Sequence, residues 1–513
     1  MKTKKFISII LIIFIITFYY FLAPTFILPD TNLYYISLKV LLGVESILSY
    51  PVVRGPSLAL TLFPFFKLFG NTEISFRICT YIFYIALLIT IFYFFKKEIY
   101  NKVLKSKQKM YKKIFYTIFI IFIILNPILY GYYHTMLTEF SAITFSIINI
   151  VIVSKINDNK KLTKKNLIIN LIYFIFVFIY SWFLKQPYIT ISFFPLLALL
   201  FLKIKNKTNR IKTLILFIVP IISLLISMKL WDNFLTVSGI KYNAGESTNY
   251  YLNKALIDSN TNYEKDNNES IYTKNGINNN PYLTEKEKQF LINKINKNEK
   301  NYIIYYVHNI KNDVIDTEIF IYKGQNFSKR EAINFTLGAL VKHPIIVVDS
   351  YISNYLSSIN IYGLHCMNNY YRPVKKITLF DGENHGIGLA HLSNIKNNYL
   401  GLQGGEESLK ELIVNYNTYD KYDITVFFSY FYLILFKIMY LILPIFWIFI
   451  LIKVLKKNRQ YETTFLFITF VLMHTLFHTI TGAIIDRYIY VTYPAYICGI
   501  ISFIISLNQN KNN

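Results

Sequence analysis

Residues 21–40 read FLAPTFILPDTNLYYISLKV. The stretch opens as the end of a long apolar run and breaks at Pro29-Asp30-Thr31-Asn32. A helix that crosses a hydrocarbon core needs about 20 apolar residues at 1.5 Å rise each. The next apolar segment, NLYYISLKVLLG (32–43), falls well short of that and carries one charge, Lys39, so it reads as a helix lying in the membrane interface. RGPSLALTLFPFFKLFG (54–70) is also too short and is interrupted by Pro64, which suits a second in-plane or re-entrant helix. A carboxylate, Asp30, is thus planted where the first membrane helix surfaces.

Working outward, apolar runs near crossing length recur at about 6–28, 74–95, 114–130, 137–154, 167–184, 188–204, 213–230, 426–453, 462–480 and 488–507. With 54% hydrophobic, 18% aromatic and only 16% charged residues, the composition excludes an ordinary soluble domain. The first run follows Met-Lys-Thr-Lys-Lys, yet it is about twice a usual signal core and lacks a small-x-small cleavage site, so it reads as a retained helix. The lysines set the orientation, because short basic loops stay on the cytoplasmic side. They crowd into 96–113, 155–165, 203–212 and 453–459, whereas the intervening turns, such as GYYHTMLTE (131–139), hold almost none. The expected fold is an all-α polytopic membrane protein of about ten transmembrane helices with both termini cytoplasmic.

The same bias accounts for much of the net charge of +25, so no nucleic-acid partner is called for. Of the three cysteines, Cys79, Cys366 and Cys498, only Cys366 falls outside an expected helix, which leaves the exposed region without an internal disulfide. Three parts follow: a membrane module over 1–230, an outward region over 231–425 that is mainly helical, and a three-helix segment over 426–513. Within the middle part, 244–300 is rich in Asn, Lys and Glu and reads as turns and connection. Residues 328–356 have helical spacing, with Ser328 and Glu331 as a capping box.

An ionisable group at membrane depth costs several kcal/mol, about 3 on insertion scales, so such residues near helix ends are candidates for function. They are Asp30, Glu139 at the opening of the fourth span, Lys185 between the fifth and sixth, His474 and His478 at i, i+4 in the ninth, and Asp486 with Arg487 before the tenth. All fall toward the outer side. Each also has a structural reading. Asp30 can mark a helix end and cap a helix at Asn32; Glu139 suits a first helical turn; Lys185 and Arg487 can snorkel to headgroups. The histidines have ligand spacing but no evident third ligand, so packing serves them as well.

The run from Leu28 to Phe95, with Asp30, the segment 32–43, Pro51 to Pro56, Leu68-Phe69-Gly70 and Arg77 in that order, resembles the opening of GT-C superfamily membrane glycosyltransferases. More narrowly, it is similar to the protein O-mannosyltransferase and lipid A aminoarabinose transferase type. NPILYGYYHTMLTEF (126–140), LKQPYITI (184–191), KHPIIVV (342–348) and DRYIYVTYP (486–494) continue the likeness, which covers about 1–230 and 426–507. The resemblance implies transfer of a sugar, with inversion, from a polyprenyl-phosphate donor to an acceptor (protein, glycan or lipid) on the outer face of the cell membrane. It implies Asp30 as general base, with Glu45 in reserve. Arg487, Lys185 and Arg54 would hold the donor phosphate, and Tyr488 would contact the donor. By analogy with relatives that use a second acid, Glu139 would position the acceptor or help hold a divalent cation, Mg2+ or Mn2+. Family members often have paired acids after the first helix, whereas Asp30 is followed by Thr31, so metal dependence stays open. A lipid-linked-substrate transporter or flippase would also have many helices and buried polar groups, but no inverted repeat is visible. A surface-polysaccharide polymerase or ligase would share the large outer loop.

Overall fold

The computed structural model describes residues 29–51, 55–159, 162–240, 423–456, 458–480 and 489–507, with Ile16, Thr17, Tyr20, Phe21, Gln289 and Tyr355. Most of the first expected span, the region 241–422 and the helix expected at 328–356 lie outside the described residues. Among the described residues every regular element is a helix. In chain order they are α1 (Pro29–Leu41), α2 (Ser57–Phe69), α3 (Glu73–Lys102), α4 (Gln108–Phe119), α5 (Pro127–Tyr133), α6 (Glu139–Asp158), α7 (Lys164–Leu184), α8 (Thr190–Lys205), α9 (Arg210–Val237), α10 (Asp423–Leu455), α11 (Glu462–Ile480) and α12 (Tyr493–Ser506). Among the described residues, six segments are long and apolar enough to cross a membrane: α3, α6, α7, α8 with its preceding turn from Gln186, α9 and the part of α10 from Ile434. The chain is consistent with an all-α membrane protein.

A buried polar knot fixes one end of the bundle. The Lys102 ammonium pairs with Glu98 (2.6 Å) and Asp158 (3.6 Å) and donates to Thr463 Oγ1 (3.1 Å). Glu462 accepts from the side-chain amides of Asn157 (2.8 Å) and Asn206 (2.7 Å), while Lys203 donates to the Asn157 carbonyl (2.7 Å). Lys205 donates to the Val454 carbonyl. The C-terminal ends of α3, α6, α8 and α10 therefore meet the start of α11. Lysines in the last turns and Glu462 in the first also match the helix dipoles. The lysine-rich connections thus share this basic end, and the opposite ends of these helices form a far end.

The centre is made of α6, α11 and α12, buried along nearly all their length, while α9 is largely exposed on the outside. Small and weakly polar residues let the central helices approach closely. A Cβ on Gly499 of α12 would stand 2.5 Å from Ile468 Cδ1 of α11.

Two expected spans are built differently. The third, expected over 114–130, starts at Gln108 inside the expected basic loop, loosens into a π-turn over Ile120–Ile124, and ends at Leu125. Asn126 then caps a new helix by accepting from the backbone N–H of Ile128 (3.0 Å) and Leu129 (3.2 Å), with Pro127 at the first helical position. Proline has no N–H and its ring clashes with a preceding turn, so the first helix cannot run through it. The tenth span, expected over 488–507, is the 14-residue α12, which begins only at Tyr493. By rise per residue that is about 21 Å.

The chain between the first span and α3 crosses the far end. A Cβ on Gly55 would stand 1.9 Å from the Phe183 carbonyl oxygen at the end of α7, so the chain enters α2 flush against that helix. At its other end α2 reaches Gly70, whose φ of +83° is open only to glycine without strain and whose carbonyl accepts from Ser75 Oγ at the start of α3. Between them, Thr61 bonds to Tyr180 of α7 (2.9 Å). Both ends of α2 thus lie at the far end, so it lies across the bundle. Leu58, Ala59, Leu62 and Phe66 form its buried face, while Leu60, Leu68 and Phe69 face outward. The helix expected over 32–43 begins at Pro29, and Tyr35 ties it to Asn71 (2.8 Å).

Candidate functional site

The far end gathers side chains that an apolar bundle would otherwise exclude. Glu139, the first residue of α6, is 1% exposed, and Thr138 donates to its carboxylate (3.4 Å). Just before it, His134 is wholly buried between the rings of Tyr20 (4.3 Å between centroids) and Tyr130 (4.4 Å). Neither ring nitrogen of His134 makes a hydrogen bond. Burial, and secondarily the Arg77 guanidinium, push its pKa well below the ordinary histidine value. Arg77 itself pairs with Glu73 (2.6 Å) and donates to the Phe21 carbonyl (2.9 Å), which joins α3 to the first span.

On the other side of α6, the turn Gln186–Ile189 and the start of α8 pack against α11. His474 and His478 are both fully buried, with ring centroids 4.5 Å apart. His474 Nδ1 lies 2.7 Å from Thr190 Oγ1, Tyr188 meets the His478 ring edge-on at 6.2 Å, and the half-buried Lys185 lies within electrostatic reach of His478. At 1.5 Å per residue His474 stands about 18 Å along α11 from Glu462, in the half of the helix nearer the far end. A bond from Asn149 to the Ile191 carbonyl (2.6 Å) fixes the register of α6 on α8, and Glu139 and Lys185 both lie outward of it.

Lys437 is a buried cation toward the same end that sequence reading missed. It sits in α10 within an otherwise apolar run and is 1% exposed. Trp447 Nε1 donates to Thr469 Oγ1 (2.9 Å), which sets the register of the antiparallel pair α10 and α11. Ten residues outward along each helix, Lys437 comes level with Thr479, one residue beyond His478. Nearby, Tyr440 bonds to Thr492 (2.7 Å) and Tyr496 donates to the Met439 carbonyl (2.7 Å), clamping α10 to α12. The signal was present in the sequence as a lone cation inside an apolar run, which marks function by default.

Of the residues singled out from sequence, the structure brings Glu139, Lys185, His474 and His478 to one end of the bundle. Asp30 is the second residue of α1, which lies at the same end. The helix begins at Pro29, so Asp30 lies inside its first turn, where an acid suits the dipole. Glu45 is exposed in the loop after α1 and pairs with Lys39 at 3.9 Å. Arg54, Asp486, Arg487 and Tyr488 lie outside the described residues. Among the described residues, no group of three or more His, Cys, Asp or Glu side chains is placed to share a metal ion.

No protein-family profile matches the chain, and no curated protein or solved structure matches it either.

Proposed function

We propose that the protein is a membrane glycosyltransferase that moves a sugar from a polyprenyl-phosphate donor to an acceptor on the outer face of the membrane, with inversion. The observation that carries this reading is a gathering of buried ionisable groups at the far end, apart from the paired knot at the basic end. A buried carboxylate, three buried imidazoles and two lysines stand at the end of the bundle crossed by α1 and α2, opposite the lysine-rich connections. A donor anchored by a lipid tail presents its sugar at the membrane surface, where such groups are useful.

In this reaction the acceptor hydroxyl attacks the anomeric carbon, and the bond from that carbon to the phosphate oxygen breaks with its electron pair on the phosphate. Asp30 takes the hydroxyl proton, the work of a general base within hydrogen-bond reach. Glu139 positions the acceptor, or shares a divalent cation if one is used. Lys185, Arg54 and Arg487 offset the charge that grows on the phosphate, with Lys437 added to that set, and Tyr488 contacts the donor. Transfer of radiolabelled sugar from polyprenyl-phosphate donors to membrane acceptors tests the reading, with intact protein compared against equally expressed Asp30→Asn. Transfer by the intact protein and its loss in the variant are expected. Equal transfer by both would remove Asp30 from the chemistry, and no transfer by either would remove the transferase reading.

A further inference from the structure

α6 is closed off on every side but one. From Glu139 to Asn157 every side chain is buried except Phe145, Ile148, Ile152 and Lys155, whose spacing of three, four and three residues places them on one face of the helix. Phe145 meets Phe83 of α3 and Phe176 of α7, each at 6.1 Å between ring centroids, so this face is the floor of a groove walled by those two helices. Ten residues further along α6, the Lys155 ammonium stands over the Tyr93 ring of α3 at 5.4 Å, and Tyr93 is itself ten residues beyond Phe83. The two helices thus run in step, and the groove extends about 15 Å from Phe145 to a mouth at the basic end. Lys97, one turn past Tyr93 on the same face of α3, brings a second cation within electrostatic reach of Lys155. Both lysines are exposed, and among the described residues neither is paired with a carboxylate, since the acids beside them, Glu98 and Asp158, are held by Lys102.

We propose that this groove binds an anionic phospholipid of the leaflet at the basic end, with its phosphate between Lys97 and Lys155 and one acyl chain along α6. The inference stands apart from the glycosyl-transfer reading, which concerns the opposite end of the bundle. Two like charges held near each other repel, and an anion placed between them turns that repulsion into two attractions. The mouth lies at headgroup depth. Exposed tyrosines collect at the membrane interface, and Tyr93 and Tyr100, which flank Lys97 along α3, are 57% and 70% exposed. The length of the groove fits as well, because about 15 Å is half of a hydrocarbon core of about 30 Å, the depth that the chains of one leaflet fill. Along the floor, the side chains of Phe145, Ile148 and Ile152 carry no polar atom, as contact with an acyl chain requires. The Tyr93 ring steadies the Lys155 ammonium from below and leaves its other side to the phosphate. A lipid with a net negative head is therefore favoured over a zwitterionic one, whose own ammonium would meet the two lysines.

The test is native mass spectrometry of the full-length protein, delipidated in detergent and titrated with phosphatidylglycerol or with phosphatidylethanolamine of the same chains. The intact protein should bind phosphatidylglycerol about tenfold or more tightly than phosphatidylethanolamine. Each lysine facing an anionic headgroup is worth about fivefold in affinity, so Lys97→Gln/Lys155→Gln should weaken phosphatidylglycerol about 25-fold and abolish the preference. Lys105→Gln/Lys109→Gln removes the same charge from the neighbouring turn and the start of α4, and should keep both affinity and preference. Ile152→Trp, which fills the groove floor, should weaken the two lipids together. Equal affinity for the two lipids in the intact protein, or an equal loss in the two lysine pairs, overturns the site in favour of a diffuse basic surface. Unchanged phosphatidylglycerol binding in Ile152→Trp overturns the groove as the seat of the chain. Displacement of the lipid by millimolar inorganic phosphate makes the lysine pair a site for a free anion and overturns the lipid assignment.

Discussion

Glu462 offers the sharpest energetic test of how the basic end is held. Its carboxylate accepts from Asn157 at 2.8 Å and from Asn206 at 2.7 Å, and it is largely buried at the start of α11. A hydrogen bond to an ionised group contributes about 1.5–3 kcal/mol, and the loss is largest where the remaining partner stays buried. Asn157 is buried, so its bond counts for about 2 kcal/mol, whereas Asn206 is half-buried and water replaces part of its bond, leaving about 1 kcal/mol. Glu462→Ala should therefore destabilise the bundle by about 3 kcal/mol. Glu462→Gln behaves differently. Asn157 Oδ1 makes no hydrogen bond, so a flip of that amide lets the glutamine NH2 donate to it while the glutamine oxygen accepts from Asn206. Two neutral bonds replace two charged ones, and the cost drops to about 1 kcal/mol. At about 1–2 °C per kcal/mol for a chain of this size, thermal unfolding in detergent, followed by tryptophan fluorescence, should fall by about 3–6 °C for alanine and about 1–2 °C for glutamine. If the two variants lose the same amount, or if alanine unfolds with the intact protein, the knot does not hold the bundle as described.

Two further outcomes follow from the far end. Gly55→Ala drives a methyl group to 1.9 Å from the backbone carbonyl of Phe183, which cannot rotate away, so the strand of chain leading into α2 must lift; overpacking of this kind costs about 1–3 kcal/mol, and limited proteolysis should cut the loop faster than in the intact protein, with equal rates counting against the contact. His134 is held neutral with its pKa below the unfolded value of about 6.5, so as pH falls below 6.5 the unfolded chain takes up a proton that the folded one refuses. Stability should then drop by up to about 1.4 kcal/mol per pH unit, and His134→Phe, which keeps the ring between Tyr20 and Tyr130, should flatten that slope between pH 6.5 and 5; an unchanged slope would show that His134 is protonated or exposed in the folded state.

The apolar runs by themselves determined that α3 and α6 to α10 are long helices, because crossing length and hydropathy are local properties of the chain. The lysines determined which helix ends belong together, and the knot around Lys102 and Glu462 shows that grouping in side-chain contacts. The break in the third span was also written locally, as Asn126-Pro127, but an average over apolar residues hides a π-turn and a cap. Lys437 was lost in the same average, since one cation barely lowers the hydropathy of a long run. What only the tertiary structure decided was which polar atoms meet. Thr190 and His474 are 284 positions apart, yet Thr190 Oγ1 and His474 Nδ1 meet at 2.7 Å. The cage around His134 likewise joins Tyr20 to Tyr130 across more than a hundred residues. Hydropathy and charge act along a single segment and can be read from it, whereas a hydrogen bond at 2.7 Å between two helices is fixed by their mutual register, which only the packed bundle sets.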